Sequence, residues 1–241
     1  MEQTEETPDC DIKSCVVQVN DPDIPGFVDA SRSGINYSDT PPDCKRALEQ
    51  AGKTEAGFER AKAAIPDIIK AVGFNSPFVN LLAAIGIQET DFISRNQDGG
   101  GPGRGVYQIE PKSYGISESD ANDLGKASVA VSTYLENEAI LISHAMKGAG
   151  VDPREKRVDR WAGLARIHNR GPGGVVSVDK RGNPAMGLLL QQSIDSGMWG
   201  FKELDNKGQL YAKNLRQTEN GTYFSNVMDL FWDCFGGFDQ R

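Results

Sequence analysis

Hydrophobic positions recur at helical spacing along most of this chain. Phe78, Leu82, Ile85, Glu89 and Phe92 fall at the three-and-four spacing of one helix face. The helix they predict begins near Ser76-Pro77, a cap residue followed by a first-turn proline. One member of that apolar stripe is a carboxylate. Upstream, Pro41-Pro42-Asp43 signals a helix start leading into Cys44 and Leu48. A run over about 54 to 71 places Phe58, Ala61, Ile65 and Ile69 on one face, with Pro66 expected to kink it. Downstream, a long segment over about 124 to 147 is predicted to bury Val129, Val131, Tyr134, Ile140, Leu141 and Met146, and Gly148-Ala149-Gly150 stops it. Asp152-Pro153 opens a helix in which Val158, Trp161, Leu164, Ala165 and His168 share a face, ending at Asn169-Arg170-Gly171. Three further helical runs are predicted at about 184 to 197, 205 to 217 and 222 to 234, the last with Phe224, Val227, Leu230, Phe231 and Cys234 inward.

Extended pattern is scarce. Residues 1 to 41 are rich in Asp, Pro, Ser and Gly, and only Cys15-Val16-Val17-Gln18-Val19 is strand-like, so an irregular N-terminal arm is expected. The run from Asp98 through Gly99, Gly100, Gly101, Pro102, Gly103 and Arg104 to Gly105 breaks the helical pattern, and Val106 to Ile109 resumes as a short extended piece. The fold class is therefore mostly α, a helical domain over 42–241 with a small β or loop insertion after the Glu89 helix and an arm over 1–41.

Composition narrows the partners. The chain of 241 residues carries 26 Lys and Arg against 34 Asp and Glu, a net charge of -8, which argues against nucleic acid as a partner. No apolar run approaches the roughly 20 residues that span a bilayer, so membrane insertion is not expected. Four cysteines, Cys10, Cys15, Cys44 and Cys234, form no CxxC pair and stand beside only two histidines, so disulfides are expected and a metal site is not. Three pairings are open. The cysteines and the sequons at Asn36 and Asn220 point to a secreted protein, although Met1 to Glu6 is acidic and no leader is visible. Trp161, Trp199 and Trp232 are expected in the core, and the chain is expected to be a monomer without cofactor.

The candidate chemistry centres on Glu89. A carboxyl in apolar surroundings loses hydration in its charged form, keeps its proton closer to neutral pH and can serve as a general acid. Taken alone, the same residue also fits a core helix whose last turn reaches water. The Gly-rich loop lacks the Lys-Ser/Thr of a phosphate-binding loop, and no G-x-S-x-G accompanies either histidine.

Three segments appear in order: Ile87-Gln88-Glu89-Thr90, then Gly105-Val106-Tyr107-Gln108-Ile109, then Ala165-Arg166-Ile167-His168-Asn169-Arg170-Gly171-Pro172-Gly173. In this the chain resembles goose-type lysozymes and the soluble lytic transglycosylases, with Thr90 where those families have Ser, Val106-Tyr107 for Leu-Met, and His168 for Tyr. The resemblance implies a lysozyme-like fold and a glycosidase cleaving β-1,4 bonds in an N-acetylhexosamine polymer, most simply peptidoglycan, with Glu89 as general acid. It implies Asp98 as the base of an inverting hydrolysis, with Glu110 in reserve, because inversion needs a second carboxyl roughly 6.5 to 9.5 Å from the first. Gln108 and Asn169 are expected to bind sugar amide and hydroxyl groups, and Tyr107 and His168 to line subsites. The alternatives are a chitinase or chitosan-type hydrolase, a lytic transglycosylase, and a binding protein without turnover.

Overall fold

The computed structural model describes residues 42–73, 76–153, 155–196 and 219–236. Most of them lie in nine α-helices: α1 (Pro42–Ala51), α2 (Glu55–Val72), α3 (Val79–Thr90), α4 (Pro111–Tyr114), α5 (Glu118–Asn122), α6 (Leu124–Gly148), α7 (Arg157–Arg170), α8 (Leu188–Ser196) and α9 (Glu219–Asp233). One antiparallel hairpin, β1 (Val176–Val178) with β2 (Pro184–Met186), accompanies them. The class is mostly α, as the periodicity predicts. The expected arm with Cys10 and Cys15, the expected 205–217 helix and Trp199 lie outside the described residues.

Helix α3 is the hub. The spacing predicts a single apolar stripe, but every residue from Val79 to Ile87 is buried, because α2, α6 and α9 all pack against it. A helix that is apolar all round is stable only when enclosed in this way. Its end is tightly built. Asp91 and Phe92 both adopt left-handed backbone, at φ 53° and 59°, which turns the Phe92 ring back onto the helix. Gly86 makes room for it, since a Cβ there would meet the Phe92 ring at 2.6 Å and Val106 Cγ1 at 2.8 Å.

The neighbours follow from their own patterns, with two corrections. Helix α2 starts on Thr54, whose Oγ1 accepts from Gly57 N, and continues through Pro66, with Ile65 and Ile68 buried on either side. In α6 the buried stripe is Ser128, Val131, Ser132, Leu135, Ala139, Ile142 and Met146, while Val129 and Leu141 are 43% and 37% exposed. Those two stand off the i, i+3, i+4 row that starts at Ser128. The run expected to be helical from 184 begins instead with β2. Asp179 Oδ1 accepts from Arg181 N at 2.7 Å and Asn183 N at 2.9 Å, a side-chain-capped turn that makes a hairpin of this stretch before α8 starts.

Helices α1, α7 and α9 close the core. Trp161 is fully buried and stacks on Phe231 at 5.3 Å between centroids. A disulfide joins Cys44 on α1 to Cys234 just past α9, across 190 residues of sequence. No helix of the described residues is long and apolar enough to cross a membrane.

Candidate active site

The last turn of α3 delivers Glu89 to a pocket made by three distant parts of the chain. Its side chain is 18% exposed. From α9, Tyr223 donates a hydrogen bond of 2.6 Å to Glu89 Oε1. From α7, His168 brings Nε2 to 3.8 Å of the same oxygen. The connection between α1 and α2 brings Lys53, held beside the end of α3 because Thr54 N donates to Asp91 Oδ1 at 3.0 Å.

Burial is the dominant influence on Glu89 and raises its carboxyl from the usual 4.5 to about 7; the Tyr223 hydrogen bond and the Lys53 charge oppose it. Burial and the nearby Glu89 hold the Tyr223 phenol well above its ordinary range, so it remains the donor. His168 is pushed the other way. Burial lowers it from 6.5 to about 4, against the hydrogen bond to the Tyr107 backbone, so near neutrality it carries no charge. Its tautomer follows from its partners: the Tyr107 carbonyl, 3.1 Å away, can only accept, which places the hydrogen on Nε2. Nδ1 then accepts from Tyr114 Oη at 3.3 Å. A neutral imidazole cannot draw the proton off Glu89 by forming an ion pair.

The backbone around this pocket is strained and braced. Among the described residues, the non-glycine positions with positive φ are Asp91, Phe92 and Gln108, and all three lie in the segment that follows Glu89. Such conformations cost on the order of 1 kcal/mol each and persist only where surrounding contacts hold them. Arg60 supplies part of that hold, with Nε and Nη2 donating to Asp91 O at 2.9 and 2.7 Å. Asp91 in turn braces the start of α2, its Oδ1 accepting from Thr54 N. The loop beyond forms the small insertion read from the glycines, with single antiparallel bridges pairing Asn96 to Arg104 and Arg104 to Ile109. Thr90 Oγ1 ties α3 to this loop by donating to Val106 O at 2.9 Å.

The residues expected at the site divide. Glu89 and His168 meet. Asn169, next along α7, presents a buried Oδ1 with no hydrogen-bond partner, and Gln88 Oε1, beside Glu89, is in the same condition. Such atoms are costly to leave unsatisfied and suit a ligand N–H or O–H. Gln108 is a partial correction: its Nε2 donates to Arg95 O at 2.9 Å and Gly105 O at 2.8 Å, so both amide hydrogens knit the loop and only Oε1 is left for sugar. Tyr107 is another, because its ring is 0% exposed and its hydroxyl is shared with Ser128 Oγ at 2.8 Å. Only its carbonyl serves the site, through His168. Asp98 is 91% exposed and lies 3.9 Å from Arg95 Nη1. Glu110 is exposed and accepts from Ser113 Oγ at 3.2 Å. Neither hydrogen-bonds to Glu89, Tyr223 or His168.

Tyr223, Tyr114 and Lys53 were not anticipated from the sequence. Tyr223 had one legible signal: it extends the Val227, Leu230, Cys234 stripe of α9 by one turn. Its Phe variant is predicted to move the pH dependence of the site. Removing a hydrogen bond that favours the carboxylate raises the Glu89 pKa above about 7, so the alkaline limb of any reaction needing the protonated acid shifts to higher pH. A pH–rate profile of Tyr223→Phe whose alkaline limb stays in place or moves down refutes this account.

No protein-family model, no curated protein and no solved structure matches this chain.

Proposed function

We propose that the chain is a glycosidase of the lysozyme-like type, acting on the β-1,4 bonds of an N-acetylhexosamine polymer. The observation that carries the reading is the enclosed carboxyl of Glu89, raised to about 7 and hydrogen-bonded by Tyr223 at 2.6 Å. Tyr223 occupies Oε1, so the acidic proton belongs on Oε2. From there it passes to the glycosidic oxygen as the bond from that oxygen to the anomeric carbon breaks, and the electron pair leaves with the oxygen. The carboxylate so formed is stabilised by the Tyr223 hydroxyl and the Lys53 charge. Asn169 and Gln88 offer acceptors to the acetamido and hydroxyl groups of a bound sugar. The order of the three motif segments supports the same reading, and it makes peptidoglycan the first substrate to test, with chitin or a chitosan-like polymer second.

Two fates of the sugar cation are open to this site. In inverting hydrolysis Asp98 holds the attacking water from the Gly-rich loop, with Glu110 in reserve. A lytic transglycosylase instead uses Glu89 alone, first as acid and then as base toward a hydroxyl of the same sugar. This second reading is favoured by a specific observation, the exposure of Asp98, whose side chain is 91% exposed and lies 3.9 Å from Arg95 Nη1. Product analysis on peptidoglycan and on chitin oligomers separates them: new reducing ends mean hydrolysis, anhydro ends transglycosylation. Asp98→Asn is expected to depress hydrolysis by about 10²-fold or more if Asp98 holds the water. A chain that binds these polymers and releases no product would be a binding protein, and the enzyme reading would fall. The Cys44–Cys234 disulfide suits secretion to an oxidising compartment.

A further inference from the structure

A second buried carboxylate acts on the same tyrosine as Glu89, and nothing in the proposed bond cleavage uses it. Glu138 is in the interior of α6, one turn beyond Tyr134, and the residue is only 8% exposed. Its Oε2 is buried and has no hydrogen-bond partner. A carboxylate oxygen in that condition is rare, because taking it out of water without a partner is costly. No cation pairs with Glu138 among the described residues.

Its surroundings connect it to the site. The Tyr134 ring packs against the Tyr114 ring at 5.0 Å between centroids. Tyr114 Oη in turn donates to His168 Nδ1 at 3.3 Å. The charge of Glu138 acts on both phenols, and the charge of Glu89 acts on Tyr114 as well, so Tyr114 stands between the two acids. The Tyr134 hydroxyl makes no hydrogen bond to a described residue. It and Glu138 Oε2, one turn apart on α6, therefore leave a donor and an acceptor unfilled.

We propose that Glu138, with Tyr134 and Tyr114, forms a subsite for an ammonium group carried by the polymer that Glu89 cleaves. The assignment rests on the glycosidase reading and names a substrate feature for it. An ammonium donates up to three hydrogen bonds and supplies the positive charge the carboxylate lacks. An acetamido N–H supplies one neutral donor and no charge. Burial alone raises the Glu138 carboxyl, and a seated cation would act in the opposite direction. The overall charge of -8 favours the approach of an amine-bearing chain in the same direction. Two sources carry the group: a deacetylated hexosamine unit, or the free side-chain amine of a peptide attached to the glycan.

Calorimetric titration of the full chain bearing Glu89→Gln, which binds without turnover, tests this. The ligands are a glucosamine tetramer, an N-acetylglucosamine tetramer, and a muropeptide with its side-chain amine free or acetylated. At least one amine-bearing ligand is expected to bind about ten-fold more tightly than its acetylated counterpart, a single charge-pair effect. Which pair shows the difference identifies the source. Adding Glu138→Gln should abolish the advantage and leave the acetylated affinities in place. Equal affinities within both pairs, or an equal loss for all ligands in Glu138→Gln, overturns the subsite and leaves the glycosidase reading standing. Binding of no ligand overturns both. Should Glu138→Gln fail to fold, Tyr134→Phe removes one hydroxyl only and is expected to reduce the advantage several-fold; an undiminished advantage there counts against the subsite.

Discussion

Glu89→Gln is expected to lower turnover by about 10³-fold, the usual contribution of a positioned general acid, while making the protein more stable at alkaline pH. The second effect follows from the first observation about the site. Folding raises the Glu89 carboxyl from 4.5 to about 7, so the folded chain binds the proton more tightly than the unfolded chain does. The associated stability is fully present below pH 4.5 and is lost as pH rises through 7. Above that the wild-type chain holds a buried charge that costs on the order of 3 kcal/mol, and the neutral amide escapes it. A melting midpoint roughly 5 to 10 °C higher at pH 8 corresponds to that difference. His168 titrates in the opposite sense. Its folded value of about 4 lies below the ordinary 6.5, so its contribution is lost as pH falls from 6.5 through 4. In the wild type the two slopes oppose each other across the same window. In Glu89→Gln the His168 slope stands alone, and stability should fall on acidification. Melting curves at pH 4, 6 and 8 with a parallel assay of bond cleavage decide the matter: retained turnover removes Glu89 from the acid's role, and equal midpoints at pH 8 refute the buried-charge account.

Opening the Cys44–Cys234 link by replacing both residues with Ala is expected to cost about 2 to 5 kcal/mol, because the bond closes a loop of 190 residues in the unfolded chain. That corresponds to a midpoint roughly 5 to 20 °C lower. The consequence reaches the site. Helix α9 packs on α1, α3 and α7 and carries Tyr223, so a chain whose α9 has loosened should show the same alkaline shift in its pH–rate profile as Tyr223→Phe. The two cysteines are 0% and 1% exposed, so reductant should act slowly on the folded protein and quickly once it is partly unfolded. A double variant with an unchanged midpoint would show that α9 is held by packing alone.

The helices could be read from the sequence where a periodic stripe faces a single neighbour. Trp161, Leu164 and Ala165 on α7 and Val227, Leu230 and Phe231 on α9 are buried as their spacing predicts. Helix α3 was legible in position and not in environment, since a stripe pattern cannot report that three helices enclose it. The hairpin after Gly174 was missed because short strands joined by a polar turn leave little periodic trace. At the site, Glu89 could be found because a carboxylate among apolar neighbours breaks a local rule. Gln108 and Tyr107 have the right groups for sugar, yet which backbone atoms satisfy an amide or a phenol depends on tertiary contacts that spacing does not contain. The same holds for Lys53, Tyr114 and Tyr223, which reach the pocket from segments that are remote in sequence.

The hydrogen bond from Tyr223 to Glu89 spans 134 residues, and this orders events during synthesis. At about 5 to 20 residues per second the ribosome makes Tyr223 on the order of 10 s after Glu89. Throughout that interval α3, apolar on every side, lacks the cover of α9, and Cys44 lacks Cys234. One late docking step then shields α3, brings the two thiols together and completes the surroundings of the acid.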